Sequence, residues 1–270
     1  MKQYHIALRN ILGRGIDREC RNGVTRAVIG MHIPYYLSDG FPAITTKKLA
    51  FEVVKGELIG FLKGYDHIDQ FQQLGVNIWN KNAAAYGQDG SLGRIYGVQW
   101  RQWRKEKRNN GGGLIDQLGS VIENIKQDPY SRRHIVSSWN VAELDEMALP
   151  PCHVLFQFLV IDDKLSLSMY QRSGDMFLGV PFNIASYSLL LCMVAQVTNL
   201  KPYTFIHTLG DAHIYHEHFS QVRELLDREI YPLPRLELNS EVKNIDDFTM
   251  ADIKLADYKY HPAIKAEMIV

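Results

Sequence analysis

Residues 153–171 read HVLFQFLVI-DD-KLSLSMYQ, two mainly apolar runs separated by a pair of aspartates. Runs of this length and composition, bounded by turn residues, are typical of β-strands. The pair Asp162-Asp163 is a turn signal of the kind that joins antiparallel strands. The stretch therefore predicts a hairpin of two strands, 153–161 and 164–171.

Outward from this hairpin, apolar periodicity predicts helices over 4–12, 54–62, 68–74, 114–125 and 212–227, and strands over 25–37, 134–139 and 203–209. Residues 80–94 are polar and Gly-rich and are expected to form a loop. Residues 176–200 carry no charge, but Pro181, Asn183 and Gln196 make them too polar for a typical membrane span. They predict a helix buried inside a soluble protein. Because helices and strands mix without repeats or linkers, we expect one α+β domain over 1–270, a mixed β-sheet covered by helices.

Bulk composition indicates an ordinary globular protein with no electrostatic preference for a partner. The chain has 270 residues, with 30 Lys+Arg against 30 Asp+Glu. A net charge of zero supports neither nucleic-acid nor membrane binding. Three cysteines without a CxxC pattern favour a reduced, cytoplasmic setting. Lys2, His5 and Arg9 interrupt the start, so no signal peptide is expected.

Cys152 lies in the densest reactive cluster of the chain. It stands in Leu149-Pro150-Pro151-Cys152-His153, and Arg172 follows about twenty residues later in Tyr170-Gln171-Arg172-Ser173-Gly174-Asp175. A cation beside a thiol stabilises the thiolate and makes it a nucleophile. Free cysteines are also among the most buried residues, so a core role is the alternative. The proline and histidine neighbours favour chemistry.

Two further charged groups have both a functional and a structural interpretation. Glu57 lies near the apolar face of its helix, where partial desolvation would raise its pKa toward acid–base duty; a solvated surface glutamate is the alternative. Arg132 and Arg133, with Arg21 and Arg172, could hold a phosphate. A solvated arginine pair at a strand start is the alternative, and the pattern alone favours it.

Polar residues near two element boundaries suggest a nucleoside site. Asn183 enters an apolar helix, where its amide must find partners and could read a base edge, or could cap the helix. His213 and Tyr215, two residues apart, could hold a sugar hydroxyl or belong to the core. His213, His216 and His218 lack further ligands at standard spacing, so no metal site is expected.

The same motifs carry a family resemblance. The chain resembles thymidylate synthases from end to end, in runs that are long, correctly ordered and rarely seen elsewhere. The matching runs are Asp39-Gly40-Phe41-Pro42 with Thr45-Thr46-Lys47, Ile78-Trp79, Tyr96-Gly97 with Gln99-Trp100, Ser131-Arg132-Arg133, Pro151-Cys152-His153, Gln171-Arg172-Ser173 through Ala185-Ser186-Tyr187, and Gly210-Asp211-Ala212-His213-Ile214-Tyr215.

The resemblance implies a thymidylate-synthase-like fold and assigns the nucleotide contacts. Cys152 would be the nucleophile that adds to C6 of dUMP, with Arg172 stabilising the thiolate and binding phosphate. The other implied nucleotide contacts are Arg21, Ser173, Arg132 and Arg133 for phosphate, Asn183 for the base, His213 and Tyr215 for the ribose, and Gln171 as a further substrate contact. In the family the Arg132–Arg133 pair comes from the neighbouring subunit, which implies a homodimer.

The resemblance also implies 5,10-methylenetetrahydrofolate as co-substrate. Glu57 would run a proton network, Tyr96 would serve proton removal from C5, and His153 would join the catalytic set. Asp175 would be a catalytic carboxylate that holds the pterin ring. The implied folate contacts are Lys47, Ile78, Trp79, Asn82, Asp175, Leu178, Gly179, Phe182 and Val270.

Three positions depart from the family pattern, all on the folate side. Gly60 stands where most relatives carry tryptophan, Asn80 where aspartate is usual, and Ile269 where a small alanine is usual. These departures leave open a dUMP hydroxymethylase, in which water captures the exocyclic methylene. A catalytically silent binding paralogue is disfavoured, because Cys152 and Glu57 are both kept.

Overall fold

The computed structural model describes residues 1–87, 89–105 and 112–269, so Val270 lies outside the described residues. The described helices are α1 (Lys2–Arg14), α2 (Phe51–Leu62), α3 (Ile68–Gln73), α4 (Asn80–Tyr86), α5 (Tyr96–Arg101), α6 (Gln117–Gln127), α7 (Gly179–Val197) and α8 (Phe219–Asp227). The described strands are β1 (Ile16–Cys20), β2 (Gly23–Tyr36), β3 (Trp103–Lys105), β4 (Gly113–Ile115), β5 (Ile135–Ser137), β6 (His153–Ile161), β7 (Lys164–Gln171), β8 (Gly174–Asp175), β9 (Lys201–Tyr215), β10 (Arg235–Leu238) and β11 (Ile253–Ala256).

A mixed seven-stranded sheet organises the fold. Its order is β1-β2-β9-β7-β6-β5, with β8 pairing β9. Neighbours run antiparallel except at β7–β9 and β8–β9, which are parallel. The predicted hairpin β6–β7 is confirmed, with Asp162 in its turn at φ 54°. The α+β class with a mixed sheet and helices is confirmed as well.

The apolar segment 176–200 forms the central core helix. Helix α7 is long and apolar enough to cross a membrane, but 83% of that apolar window is buried inside the fold. Its neighbours include β9 and β7 of the sheet and helix α2. Burial on all sides explains why the helix is apolar around its whole circumference.

A β-bulge at the start of β6 sets which side chains face this helix. The register shifts between His153 and Leu155. After the shift, Phe156 and Phe158 share the buried side with His153, whereas Leu155 is 36% exposed on the opposite face. Bulges of this kind re-aim side chains beside active sites.

The opposite face of the sheet carries exposed apolar and aromatic side chains. Leu155 pairs with Tyr170, which is 40% exposed, and Tyr170 is in register with Thr208 on β9. Ile161, at the far end of β6, is also exposed. No described helix covers these residues, and exposed apolar surface of this kind marks candidate interfaces.

Three sequence predictions are wrong. Residues 80–86 form helix α4 and not loop, because three successive alanines, Ala83 to Ala85, favour helix despite polar neighbours. Strand β9 continues to Tyr215 where a helix from residue 212 was predicted, because it pairs along nearly the whole length of β2. Residues 113–115 form β4, and helix α6 begins only after Asp116, whose side chain accepts from Gly119 N at 2.9 Å.

Candidate active site

Cys152 is the last residue before β6 and is partly buried. Its backbone is held from two sides: its N–H donates to Tyr96 Oη at 2.8 Å, and its carbonyl accepts from Arg172 N at 2.9 Å. The two bonds join the cysteine to helix α5 and to the end of β7. The thiol therefore has a defined position without using its own sulfur for support.

The Arg172 guanidinium is braced against the same loop. Its Nε and Nη2 donate to the carbonyls of Pro151 and Pro150, each at 2.9 Å. Its Cζ lies 5.7 Å from the centre of the Trp139 ring, within range of a cation–π contact. A planar, permanently charged group is thus fixed beside Cys152.

A cleft of about 410 Å³ opens next to this arginine. We call it the nucleotide cleft; its lining residues are Arg18, Cys20, Arg21, Asn22, Thr25, Leu149, Pro150, Arg172, Ser173, His213 and Tyr215. Five of the residues singled out from sequence therefore meet in one depression. The Arg21 and Arg172 guanidinium groups make it suitable for an anion.

Arg132 and Arg133 are not brought to this cleft. Both are exposed and precede β5, at the edge of the sheet opposite to β1. The backbone there is fixed, since Gln157 Nε2 donates to Arg132 O at 2.9 Å. A phosphate site that contains both arginines and Arg172 is therefore not assembled within one chain.

His213 and Tyr215 lie two residues apart on β9 and hence on the same face of the strand. Their rings are edge to face with centroids 5.2 Å apart. His213 Nδ1 donates to Asp211 Oδ1 at 3.1 Å, which leaves Nε2 toward a ligand. Burial lowers the pKa of His213, with nearby Asp175 opposing the shift.

Asn183 lies in the first turns of α7, and its Oδ1 accepts from Gln171 Nε2 at 3.1 Å. His153 is buried beside it, with ring centroids 5.2 Å from Tyr96 and 5.1 Å from Tyr187. Burial lowers the pKa of His153 to about 4, against a hydrogen bond with Asn183 that raises it. The imidazole is therefore neutral at physiological pH.

Glu57 is buried on α2 and accepts from Trp79 Nε1 at 3.0 Å. Burial raises the pKa of Glu57 to about 8, although the Trp79 hydrogen bond lowers it. A carboxyl with such a pKa can hold or release a proton near neutral pH. Burial, together with nearby Cys152, also raises the pKa of Tyr96 well above its usual value, so the phenol keeps its proton.

Asp175 and Lys47 organise the loop between β8 and α7. Asp175 Oδ1 accepts from the N–H groups of Phe177 and Leu178, at 2.9 and 3.3 Å, which leaves Oδ2 for a ligand. Lys47 Nζ donates to Phe177 O at 2.5 Å and lies 4.0 Å from the centre of that ring. Burial lowers the pKa of Lys47 to about 8, against the attraction of Asp175. Lys47 therefore supports this loop, and its side chain is buried, with 9% exposure. Its predicted contact with a folate tail stays a prediction.

The model of the thymidylate synthase family matches residues 2–270. The chain belongs to the thymidylate synthase family. Membership indicates a methyltransferase of this type, which methylates dUMP or performs a closely related reaction with methylenetetrahydrofolate as co-substrate. The recognition made from sequence is confirmed.

The residues predicted to contact folate are mainly apolar; the Glu57 carboxyl bonds to one of them, Trp79, and the Asp175 carboxyl bonds to the backbone of Phe177 and Leu178. Trp79 is buried, Ile78 is 40% exposed, and the remaining predicted contacts, Asn82, Leu178, Gly179 and Phe182, are half-buried. We use "folate wall" for Glu57, Trp79, Asp175, Leu178 and Phe182. A flat heteroaromatic ring with N–H groups at one edge fits this combination, because Asp175 offers an acceptor and the wall offers apolar area.

Gly60 does not leave an empty space in the structure. A Cβ built on Gly60 would lie 2.2 Å from Cε1 of the Phe71 ring, so the ring occupies the space above the glycine. Phe71 is fully buried and packs edge to face with Phe61. Asn80 accepts from Gln72 Nε2 at 3.2 Å on the surface side. The volume lost at position 60 is thus replaced from α3.

The tail of the chain is held through backbone carbonyls. His218 Nε2 donates to Glu267 O at 3.0 Å, and Arg228 donates to Pro262 O and to Thr46 O, at 2.6 and 2.8 Å. Ile269 is half-buried. The predicted lid contact of Val270 lies outside the described residues.

Three residues at or near the site were not predicted from the sequence. Arg18 and Cys20 line the nucleotide cleft from β1, a strand that was not predicted, and Arg18 pairs with Asp211. His207 is buried behind Asn183 with no motif to mark it. The alternation of Arg18 with Cys20 was a usable signal, since both face one side of a strand. In the part of the chain that the structure describes, no three His, Cys, Asp or Glu side chains form a group that could hold a metal.

Proposed function

We propose that the protein catalyses the reductive methylation of dUMP to dTMP, with 5,10-methylenetetrahydrofolate as carbon donor and reductant. The observation that supports this best is that Cys152, whose backbone bonds to Tyr96 and Arg172, comes directly after Pro150-Pro151; Pro150 and Arg172 both line the nucleotide cleft. A soft nucleophile at the edge of an arginine-lined cleft suits addition to a phosphorylated pyrimidine.

In this proposal the nucleotide is held at three points. Arg21, Arg172 and Ser173 bind the phosphate, His213 and Tyr215 bind the ribose hydroxyl, and the Asn183 amide reads O4 and N3–H of uracil. In this arrangement Cys152 would lie between the phosphate contacts and the base contacts. These contacts would orient the ring before chemistry begins.

The first chemical step is addition of the Cys152 thiolate to C6 of uracil. The Sγ–C6 bond forms as the C5=C6 electron pair moves toward C5 and O4, so that C5 becomes the nucleophile. Cysteine suits this role because the same bond must later break and return the electron pair to sulfur. Arg172, whose Nε donates to Pro151 O, supplies the positive charge next to the Cys152 segment.

Glu57 and Tyr96 then handle protons on either side of the ring. With its pKa raised to about 8 by burial, Glu57 can hold a proton that passes to and from O4 through water. The Tyr96 hydroxyl, which already accepts the Cys152 N–H, lies on the path by which the C5 proton leaves. Trp79 fixes the Glu57 carboxyl by its 3.0 Å hydrogen bond.

The folate wall would hold the co-substrate. Asp175 would accept from its pterin edge, and Trp79, Leu178 and Phe182 would pack on its flat ring. When bound, methylenetetrahydrofolate supplies the one-carbon unit and the hydride. The task of the chain is to keep that ring over the nucleotide and to keep water away from the carbon being reduced.

Packing behind the wall favours the methyl product over hydroxymethyl. Phe71 fills the space above Gly60, and Trp79 is anchored on Glu57 while it contacts Phe61 at a centroid distance of 6.2 Å. Because Phe71 fills the space beside Gly60, the folate wall can hold the pterin firmly and exclude water from the reaction centre. Under these conditions hydride transfer outcompetes capture by water.

One experiment separates the two outcomes. The protein is incubated with dUMP and methylenetetrahydrofolate, the nucleotide product is weighed by mass spectrometry, and dihydrofolate is measured in the same sample. Equal amounts of dihydrofolate and of a nucleotide that has gained a methyl support the proposal. A product heavier by one oxygen, without dihydrofolate, would identify a hydroxymethylase.

The nucleophile has a separate test. With 5-fluoro-dUMP and the folate, a covalent ternary complex should form on Cys152, because fluorine blocks loss of the C5 substituent. Cys152→Ala should form none. Cys20→Ala and Cys192→Ala are matched controls, one in the cleft and one buried in α7, and both should still form it. An adduct on Cys152→Ala would refute the assignment.

We further propose a homodimer in which Arg132 and Arg133 of one subunit complete the phosphate site of the other. Support comes from their exposed position opposite to the cleft and from the exposed apolar residues on the open sheet face. Mixing inactive Cys152→Ala and Arg132→Ala subunits should restore activity through one repaired site per heterodimer. Heterodimers without activity would show that each site is built from one chain.

A further inference from the structure

A buried row of polar side chains runs behind Asn183. His207, on β9, is fully buried, and its Nε2 lies 2.8 Å from Gln171 Oε1. Gln171 lies at the end of β7, and its Nε2 donates to two acceptors: Asn183 Oδ1 at 3.1 Å and Ser173 O at 2.9 Å. The row thus joins a residue remote from the cleft to the amide that faces the base.

The orientation of the Gln171 amide follows from the backbone. Ser173 O is a carbonyl and can only accept, so the group that faces it is the NH₂ of Gln171. Gln171 Oε1 therefore faces His207, which must donate from Nε2. Burial lowers the pKa of His207 to about 3, so the ring is neutral and has a single N–H. Nδ1 is the unprotonated nitrogen, and it has no hydrogen-bond partner among the described residues.

The same logic fixes Asn183. The second N–H of Gln171 can be accepted only by the amide oxygen of Asn183, so Oδ1 lies on the Gln171 side and Nδ2 is the remaining donor. Uracil presents an acceptor at O4 and a donor at N3, whereas cytosine presents the reverse. An asparagine with a defined orientation can discriminate between these edges; one that flips freely can satisfy both.

We propose that His207 is a specificity-positioning residue: its hydrogen bond holds Gln171, Gln171 orients the Asn183 amide, and this orientation sets the preference for uracil over cytosine. The inference rests on the proposed function, because it requires Asn183 to face the base. His207 itself touches no substrate. Without its donor, Gln171 Oε1 would be buried with no partner, and the side chain would rotate away from Asn183.

Two variants with the same amide group make a matched pair. His207→Gln can place an N–H at the reach of the original Nε2, whereas His207→Asn is one methylene shorter and cannot reach Gln171. The measurement is the ratio of the dissociation constants of dCMP and dUMP. His207→Gln should keep the ratio near wild type, and His207→Asn should lower it about tenfold, as expected for a buried acceptor left unpaired.

Three further variants exclude a general packing effect. His207→Phe fills similar volume without a donor and should lower the ratio as His207→Asn does. Phe205→Leu removes the ring whose centroid lies 5.5 Å from that of His207, and should reduce stability but keep the ratio. In a Gln171→Met background, His207→Asn should have no additional effect on the ratio, because the two residues act in series.

The outcomes separate this inference from the proposed function. A wild-type protein with no preference for dUMP would overturn the function itself. A wild-type preference that survives both His207→Asn and His207→Phe would overturn only the role of His207. An equal loss in the wild-type and Gln171→Met backgrounds would show that His207 acts without Gln171.

Discussion

The nucleotide cleft and the folate wall differ in where they keep their charges. In the cleft, the ionised groups are the guanidinium groups of Arg18, Arg21 and Arg172; Arg18 pairs with Asp211, and Arg172 donates to backbone carbonyls. In the folate wall, the carboxyl of Glu57 is buried, and Lys47, which donates to Phe177 O beside Asp175, is buried as well. Burial brings the pKa of each to about 8.

The difference suggests a division of roles: groups with a fixed charge bind the nucleotide, and a buried group that titrates near neutral pH takes part in the chemistry. An arginine keeps its charge at any pH at which the protein folds, so the cleft should recognise phosphate with little dependence on pH. Glu57 changes its protonation near neutral pH, so the folate side should limit turnover as pH changes. Four predictions test this contrast, in decreasing order of expected effect.

Glu57→Gln should lower kcat by a factor of about 10² to 10⁴, the range for loss of a general acid–base group. The dissociation constant of dUMP should change by less than about twofold, because the amide can still accept from Trp79 Nε1. Steady-state kinetics and equilibrium dUMP binding measure the two effects. Glu52→Gln, exposed on the same helix, is the control and should leave both unchanged. A large loss of dUMP binding would place Glu57 in the cleft and break the contrast.

The buried carboxyl should also make stability fall as pH rises. The pKa of Glu57 is about 8 in the folded protein, above its ordinary value of 4.5. Its stabilising contribution is therefore complete below pH 4.5 and is lost as pH rises through 8. At about 1.4 kcal/mol for each pH unit, the loss between pH 5 and pH 8 approaches about 4 kcal/mol.

Urea unfolding of wild type and Glu57→Gln across this window measures that loss. The difference between the two proteins isolates Glu57, because the buried histidines titrate alike in both. Lys47 has the opposite sign and changes mainly above pH 8, since its folded pKa of about 8 lies below its ordinary 10.5. Equal pH slopes in the two proteins would argue that Glu57 is ionised in the folded state.

Arg172→Met should weaken dUMP binding about 100-fold, since charge-assisted hydrogen bonds contribute about 1.5 to 3 kcal/mol each. The factor should be the same at pH 7.5 and pH 9, because the guanidinium does not titrate and the phosphate of dUMP is a dianion throughout this range. Isothermal titration with dUMP measures it. Arg223→Met, exposed on α8 and outside the cleft, should bind as wild type does. A loss that varies with pH would mean that a titrating group shares the phosphate.

Gly60→Ala should reduce the free energy of unfolding by about 1 to 3 kcal/mol, because the added methyl meets the Phe71 ring at 2.2 Å. Phe71→Leu in the same chain should recover part of the loss. Gly13→Ala is the control: nothing lies within 4 Å of its added Cβ, and alanine favours the helix. If Gly60→Ala were neutral, the wall would be loosely packed and the argument for a dry centre would fail.

Sequence alone predicted the elements whose patterns are local. The hairpin β6–β7 and the apolar helix α7 follow from composition and turn residues, and the resemblance indicated five of the eleven residues that line the cleft. Strand β9 beyond Leu209 was missed because its extension depends on pairing with β2, a contact far away in sequence. Two other features depend on packing between elements and leave no periodic signal in the sequence. One is the Phe71 ring that fills the space beside Gly60, and the other is the hydrogen-bonded row from His207 through Gln171 to Asn183.

Because of the bulge at the start of β6, the number of residues in this segment decides which face of the sheet His153 points to. His153 faces inward only because one extra residue separates it from the regular alternation of Phe156, Phe158 and Val160. If the strand were straightened with Val154 kept, His153 would turn toward the open face, while the apolar pairs from Leu155 onward would stay in place. The bulge, and not the apolar composition of the strand, therefore decides which way His153 faces.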